Sequence, residues 1–473
     1  MSKKNWIRRF EPLTGERLVE VALESAAWLE TYGHIDKDKD KEYWDVLPGK
    51  QVDEDALLLK STSLYGGAAG IALFYLRLYV ATGEEEWLKK ARAGAAYVMK
   101  NYKGKEDFTT DQPYLQGAYI GYLNGPAGGG YLASELYRIT GDEEYKTFAV
   151  RVTDDCILSA NEENGRLFWY GDYGIIGEGG LILYLVDSYE RYGNERYIQA
   201  AAKAAAYILD KKEPAPDGGY RWYVMPTETF PTIGKPGGYF PGFEYGAAGC
   251  GYILAEVYKH GTGNREVKAP LPLSEYIEAA KGAAEYIMNI ADYSEDGEAA
   301  LVRYNDTYLT DLYYLGVCQG PVGTSRLFYS LYEITGEERY KDFVVKLTNG
   351  LLATGAPAKH SEGYWRTNCY CCGAAGMLEH FLNVHKLTGD DRYLSAAYDA
   401  AETIIGESTY RNKLRNWYTA WNRHEPETSD PYIGLYHGSA GCASSLIAFA
   451  RYISGGDYLP PYLEDPYKDL YRK

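Results

Sequence analysis

Two kinds of helical pattern alternate along the chain. In the first kind, apolar residues recur at three- and four-residue spacing among charged ones, as in 194–212, where Tyr197, Ala201 and Ile208 share one face. This pattern predicts an amphipathic helix with one face in water. It occurs in seven segments, at 14–32, 85–102, 142–160, 194–212, 273–291, 337–354 and 390–407.

The second kind is an apolar helix that follows two glycines three residues apart. These Gly-x-x-Gly pairs lie at 67–70, 125–128, 177–180, 246–249, 320–323, 373–376 and 438–441. The closing glycines are 52 to 74 residues apart, so the chain is a series of seven repeats and not a set of independent domains. Because these helices are apolar on all sides, we expect them to be buried.

Seven amphipathic and seven apolar helices predict an all-α fold in a single domain over residues 1–473. An α/α toroid buries the apolar helices on all sides and leaves one face of each amphipathic helix in water, if the apolar helices lie inside and the amphipathic helices outside. An open helical solenoid is the alternative, but no repeat has the polar outer face of a cap. The glycines allow a sharp turn where the chain enters each inner helix, so these helix ends should converge on a central pit.

One long stretch, at about 213–244, lacks both patterns and is rich in Pro, Gly and aromatic residues. Its residues 214–243 are predicted to be irregular, and loops of this length are commonly functional. The aromatic residues are Tyr220, Trp222, Phe230, Tyr239 and Phe240. The insertion is either a lid that contacts a peptide or a segment that packs over the rim, and the sequence favours neither.

Composition narrows the classes of partner. The chain has 49 basic and 66 acidic residues, and the net charge of −17 argues against a nucleic-acid-binding surface. The apolar runs are shorter than a bilayer span, and the first residues do not lead into a secretion signal. We therefore expect a cytoplasmic protein without an integral membrane segment. Association with a membrane surface or a biosynthetic complex stays open.

Three of the seven cysteines occupy related places in adjacent repeats. Cys318 lies two residues before the fifth motif glycine, and Cys371 and Cys372 directly precede the sixth. The alignment puts three thiols at the starts of neighbouring inner helices, where the helix dipole favours thiolates. Three thiolates suit a tetrahedral zinc ion with one coordination position open. The alternative is a set of small core residues, and Cys369 could also replace one of the three ligands.

The seven glycine helices, the Cys-x-Gly of the fifth repeat and the Cys-Cys-Gly of the sixth resemble the lanthionine synthetase C-like family over nearly the whole chain. The resemblance implies an α/α toroid with one central zinc ion, held by two cysteines and usually a histidine. Cys372 occupies the histidine position, as in a three-cysteine variant found among some bifunctional synthetases. Those synthetases carry an added dehydratase domain, for which this chain has no room, so we expect a stand-alone cyclase-type module.

The chemistry that the resemblance implies is addition of a thiol across dehydroalanine or dehydrobutyrine, which gives a thioether. The thiol would belong to a cysteine of a dehydrated peptide, forming a lanthionine or methyllanthionine ring, or to glutathione. Zinc activates such a thiol at neutral pH. Attack on the alkene forms an enolate, which needs a general acid and stabilisation of its oxygen.

Several residues that complete this reaction in the family are replaced or absent in this chain. Tyr245 stands where the family has a histidine before the fourth motif glycine, and Gln319 stands where it has a tyrosine. The arginine expected shortly before Cys318 is absent. Tyr245 is our first candidate for the general acid and His437, before the seventh motif glycine, is the second. Each could instead be a packed structural residue.

Two further residues are weaker candidates for the site. Asp172 is offset from the place of the family's third-repeat aspartate, and a helix cap or surface residue is the competing interpretation. Arg366, upstream of the cysteine cluster, could bind a substrate carboxylate or the enolate, although a salt bridge is as plausible.

Two other functions compete with thioether formation. A glycoside hydrolase on a similar toroid would need a pair of carboxylates in the pit, for which Glu178, Glu244 and Asp311 are candidates, but it leaves the aligned cysteines unexplained. A protein that only binds glutathione, or adds it to dehydroamino acids, is the second. Loss of activity on mutating Cys318 separates the hydrolase from the thioether-forming enzyme.

Overall fold

The computed structural model of the chain describes residues 13–35, 41–50, 60–111, 116–224, 237–262, 267–421, 423–456 and 459–471. In this part of the chain a long helix follows each glycine motif. These inner helices are α2 (Ala68–Thr82), α5 (Pro126–Thr140), α7 (Glu178–Tyr192), α9 (Ala247–Gly261), α11 (Pro321–Thr335), α13 (Ala374–Thr388) and α15 (Ser439–Ile453). They are buried on all sides, as predicted, and the first eleven residues of α7 are all buried.

Each predicted amphipathic helix is also present, with ends within two residues of the prediction. These outer helices are α1 (Gly15–Glu30), α3 (Glu85–Asn101), α6 (Glu143–Ser159), α8 (Glu195–Asp210), α10 (Leu273–Ile290), α12 (Glu338–Ala353) and α14 (Asp391–Gly406). Five inner helices end at a glycine in the left-handed conformation, such as Gly336 with φ +69°, and the outer helix begins directly afterwards. A left-handed glycine ends a helix without strain, so each pair forms a tight hairpin.

The ring is closed. Each inner helix packs against the next one around the ring, and α15 packs against α2. The first outer helix, α1, packs on the last inner helix, α15, and so completes the seventh hairpin from the other end of the chain. The all-α toroid is therefore confirmed, and the open solenoid is excluded.

Backbone hydrogen bonds join the loops that precede the inner helices. They connect residues two positions before the motif glycine, with the N–H of one repeat donating to the C=O of another. The bonds run from Glu244 to Cys318 (2.7 Å), Cys318 to Cys371 (3.1 Å), Cys371 to Tyr436 (2.9 Å), Tyr436 to Tyr65 (3.0 Å) and Tyr65 to Leu123 (2.8 Å). The loops thus converge around a central pit, as predicted from the glycines.

The remaining elements are short. They are the helix α4 (Gln116–Ile120), two 3-10 helices (Lys105–Phe108 and Pro466–Tyr471) and several small sheets. The two-stranded antiparallel sheets pair β1 (Gly33–Ile35) with β2 (Glu42–Trp44), β3 (Asn161–Glu163) with β4 (Arg166–Phe168), β8 (Asp292–Tyr293) with β9 (Ala300–Leu301), β10 (Thr409–Arg411) with β11 (Leu414–Asn416), and β12 (Thr419–Ala420) with β13 (Ser429–Asp430). None of the helices in the described ranges has the length and apolar character needed to cross a bilayer.

The insertion is partly ordered as a sheet, so the prediction of an irregular stretch over 214–243 is wrong at both of its ends. Strands β5 (Lys212–Pro214), β6 (Tyr220–Val224) and β7 (Gly238–Tyr239) form an antiparallel sheet. Trp222 is fully buried and its indole N–H donates to the carbonyl of Ile208 at 2.8 Å, which anchors the sheet to α8. Phe230 lies outside the described residues.

The C-terminal segment, residues 459–471, packs into the ring between the inner helices. Glu464 is 2% exposed, forms an ion pair with Arg326 of α11 at 3.4 Å, and accepts a hydrogen bond from the Tyr436 hydroxyl at 3.0 Å. Because Tyr436 also belongs to the ring of hydrogen-bonded loops, the segment supports the floor of the pit.

Candidate metal centre and active site

The structure gathers three thiols in the pit. The sulfur atoms of Cys318, Cys371 and Cys372 all lie within 4.8 Å of one another. The Cys372 sulfur is 3.4 Å from that of Cys318 and 3.5 Å from that of Cys371. Cys318 and Cys371 are each 5% exposed, while Cys372 is half-buried at the edge. The three cysteines selected from the repeat alignment therefore form one cluster.

The loops of the fifth and sixth repeats hold this cluster together. The N–H groups of Val317 and Cys318 both donate to the carbonyl of Cys371, at 2.8 and 3.1 Å. Gly316 faces the other loop so closely that a Cβ at this position would lie 2.6 Å from the Cys372 Cα. Only a glycine allows this approach, so Gly316 helps to set the distance between the ligand-bearing loops.

The donor set fits a zinc ion. Sulfurs about 2.3 Å from a tetrahedral zinc are separated by roughly 3.8 Å, close to the separations in the cluster. Interaction with Cys318 is the first cause that raises the pKa values of Cys371 and Cys372 well above the usual value. Three sulfurs this close can all be deprotonated only if a cation offsets their charge, so the cluster suits a divalent cation.

Cys369 stands outside the group of three sulfurs. Its sulfur lies 3.0 Å from the Thr367 hydroxyl and 3.5 Å from Nδ1 of His437, and it accepts the backbone N–H of Cys372 at 3.5 Å. Burial raises the pKa of Cys369, but the interactions with Cys372 and His437 outweigh it, and the net pKa lies well below the usual value. The geometry therefore makes Cys369 a neighbour of the ligands.

His437, the second candidate for the general acid, is 3% exposed and lies at the pit. Its ring packs between Tyr65, Trp421 and Tyr432, with centroid distances of 6.4, 4.6 and 5.1 Å. Its Nε2 has no hydrogen-bond partner in the described part of the chain. A proton-transfer role for His437 stays a prediction.

Tyr245, the first candidate, belongs to a cluster of tyrosines beside the thiols. Its hydroxyl is 2.9 Å from that of Tyr304, whose ring stacks on Tyr314 at 4.3 Å. Burial is the main cause that raises the pKa of all three, and the charge of Cys318 adds to this for Tyr304 and Tyr314. The sequence pointed to neither Tyr304 nor Tyr314. Among 49 tyrosines, nothing in the sequence marks these two.

Asp172 and Arg366 lie in different surroundings. The carbonyl of Asp172 accepts the N–H of Glu178 at 2.8 Å, and its carboxylate packs beside Gly177, so it lies at the start of α7. Arg366 is exposed and its nearest acidic partner is Glu427 at 3.9 Å. Neither arrangement tests the predicted roles, which stay predictions.

The three carboxylates considered for glycoside hydrolysis have separate environments. Glu178 is buried and accepts N–H groups of the preceding loop, including that of Trp169 at 3.0 Å, and burial raises its pKa to about 7. Asp311 is exposed. Glu244 occupies the position equivalent to Cys318 and Cys371, and its charge contributes to raising the pKa of Cys371.

Gln319, next to Cys318, has an unusual environment. It is 3% exposed, and in the described part of the chain neither Oε1 nor Nε2 of its carboxamide has a hydrogen-bond partner. Buried polar groups nearly always have a hydrogen-bond partner. Two buried polar atoms without one therefore indicate that a partner is missing.

The chain is similar to several known proteins. The family model described as lanthionine synthetase C-like protein matches residues 59–454. Glutathione S-transferase LANCL1 of Danio rerio is 23% identical to the chain over 395 residues, which are 80% of this chain and 79% of the relative. The structure of nisin cyclase aligns with a TM-score of 0.55 and 16% identity, covering 84% of this chain and 95% of that one. The structural likeness supports the same fold.

Proposed function

The chain belongs to the lanthionine synthetase C-like family, and from that premise we propose that it is a zinc-dependent enzyme that adds a thiol to a dehydroalanine or dehydrobutyrine residue of a peptide. The observation that carries the proposal is the cluster of Cys318, Cys371 and Cys372 in the pit. Zinc bound by these three residues would supply an open coordination position at which a substrate thiol is deprotonated at neutral pH.

The protein groups around the cluster can support the remaining chemistry. The new carbon–sulfur bond forms at the β-carbon, the alkene electrons move onto the carbonyl oxygen, and the α-carbon then takes a proton. Tyr245 is our first candidate for the donor of that proton. Its hydroxyl is protonated at neutral pH, as that of an ordinary tyrosine is, and the Tyr304 hydroxyl at 2.9 Å can return a proton to it. His437 is the second candidate.

The source of the thiol distinguishes two forms of this function. A peptide cysteine gives an intramolecular lanthionine ring, which is our first proposal. The relative named as a glutathione S-transferase favours glutathione as a second candidate. In that case the protein would join glutathione to a dehydroamino acid, or would only bind it. Hydrolysis of glycosides is less well supported because Glu178 is engaged by backbone N–H groups and Asp311 is exposed.

Metal analysis combined with a thiol-addition assay tests the proposal. We expect one zinc ion per chain in the wild type and in Cys250→Ala, a control in which another buried cysteine is removed. We expect loss of zinc and of thioether formation in Cys318→Ala. The assay uses a dehydroalanine peptide that contains a cysteine, and the same peptide without cysteine plus glutathione.

Each result decides between the alternatives. Cyclisation of the first peptide supports the cyclase, and addition of glutathione to the second supports the transferase. Zinc and glutathione binding without either product would indicate a binding protein. A metal-free wild type, or full activity in Cys318→Ala, would refute the proposed mechanism.

A further inference from the structure

The Gln319 carboxamide is held in a fixed place. The N–H groups of Phe243 and Glu244 both donate to the carbonyl of Cys318, at 3.1 and 2.7 Å, which fixes the backbone beside Gln319. Gly242 packs against the side chain, and a Cβ on Gly242 would lie 2.7 Å from the Gln319 Cα and would also clash with its Oε1. The structure therefore leaves room for the amide by placing a glycine opposite it.

The position of Gln319 in the repeat places it at the reaction centre. It is the residue directly before the motif glycine, as are Tyr245 in the fourth repeat and Cys372 in the sixth. Around the ring of loops, Gln319 thus stands between the residue proposed to give the proton and a residue proposed to bind zinc.

An unpaired carboxamide offers one acceptor oxygen and two donor N–H groups. The complementary group is a peptide unit in which one residue presents both its own N–H and its own C=O. A peptide-bound dehydroalanine presents this pair at its α-carbon. A simple acrylamide has the carbonyl but lacks the α-nitrogen. It can therefore accept a hydrogen bond from Nε2 of the carboxamide but cannot donate one to Oε1.

We propose that Gln319 binds the main chain of the acceptor dehydroamino acid, with Nε2 donating to its carbonyl oxygen and Oε1 accepting its N–H. This inference rests on the proposed function and identifies the acceptor as a peptidyl dehydroamino acid. When the thiolate sulfur bonds to the β-carbon, the alkene electron pair moves to the carbonyl oxygen, where the donated N–H stabilises the growing charge. The α-carbon then takes its proton, and no oxidant or reductant is needed.

The role predicts opposite effects on stability and activity. Gln319→Leu has a similar volume and removes a buried polar group without a protein partner, so we expect an equal or higher Tm and an unchanged zinc content. We expect kcat/KM to fall roughly 10- to 100-fold because two hydrogen bonds to the acceptor are lost. Gln319→Glu keeps an acceptor for the N–H but loses the donor, so we expect its reduced activity to appear mainly as a lower kcat.

The closing experiment compares two acceptors with glutathione as the thiol: N-acetyl-dehydroalanine amide and the same compound methylated on the dehydroalanine nitrogen. Wild type and the control Gln199→Leu, which makes the same change on α8, should prefer the N–H acceptor by about tenfold. In Gln319→Leu the ratio of kcat/KM for the two acceptors should be close to one. A zinc-loaded Gln319→Leu enzyme with wild-type kcat/KM and an unchanged preference overturns this inference alone. A zinc-loaded wild type that is inactive with every acceptor and peptide overturns the proposed function, and the inference with it.

Discussion

Removing Cys372 and removing Cys369 should have different effects on metal binding, although both residues lie in the same short turn. Cys372 contributes one of the three sulfurs of the cluster, whereas the Cys369 sulfur is engaged by Thr367, His437 and the Cys372 backbone N–H. We therefore expect Cys372→Ala to lose more zinc affinity than Cys369→Ala does.

The magnitude follows from the number of ligands. A structural zinc site with four ligands has an apparent binding free energy of about 10–16 kcal/mol, so one ligand contributes roughly 2.5 to 4 kcal/mol. Loss of Cys372 should raise the zinc Kd by on the order of 100- to 1,000-fold. Cys369 touches a ligand without binding the metal, and loss of such a neighbour changes affinity by roughly 10- to 100-fold at most.

Competition with a chromophoric chelator measures both constants at fixed pH. Cys372→His is the conservative variant, because the family usually has histidine at this position, and it should recover most of the affinity. Equal loss in Cys369→Ala and Cys372→Ala would show that Cys369 is a ligand and would refute the assignment of the three sulfurs.

Three further outcomes are expected. Tyr245→Phe should keep its zinc and lose roughly 100-fold or more in kcat, as measured by product formation, if its hydroxyl donates the proton. Burial raises the pKa of Glu178 to about 7, so its contribution to the free energy of unfolding is complete below about pH 4.5 and is lost as pH rises to about 7. The change is roughly 3 kcal/mol. Denaturant unfolding at several pH values should show this fall in the wild type and a flatter profile in Glu178→Gln. Glu464→Ala removes the carboxylate that pairs with the buried Arg326, so denaturant unfolding should report a loss of about 3–5 kcal/mol, and a loss below about 1 kcal/mol would contradict the account of the C-terminal segment.

The sequence predicted the helices and the clustering of three cysteines well because both depend on local patterns that repeat. The apolar helices begin at glycine pairs, and the same register aligns Cys318 with Cys371. The outer helices end where their periodicity ends, within two residues. Closure of the ring was predicted because no repeat has the polar outer face of a cap, and the packing of α1 on α15 agrees with it.

The features that the sequence did not predict arise from contacts between distant segments. The sheet in the insertion needs strands paired across a long connection, which periodicity does not reveal. Tyr304 and Tyr314 become part of the site only because the loop before the fifth inner helix folds beside Tyr245. The close packing around the Gln319 side chain depends on Gly242, which comes from the preceding repeat.

The change from the family's usual histidine to Cys372 would make a zinc centre at this site more negative, in surroundings where the tyrosines and Gln319 are neutral and Glu244 is a carboxylate. A zinc ion with three thiolates carries a net charge of −1, whereas two thiolates and a neutral histidine leave the centre uncharged. The N-termini of α11 and α13 offset part of the added charge, but a thiolate substrate increases it again. Nearby thiolate charge raises the pKa of Tyr304 and Tyr314, on top of burial, and keeps them protonated. Phenols and the Gln319 amide can therefore donate hydrogen bonds or protons there without adding further negative charge, which a carboxylate could not do.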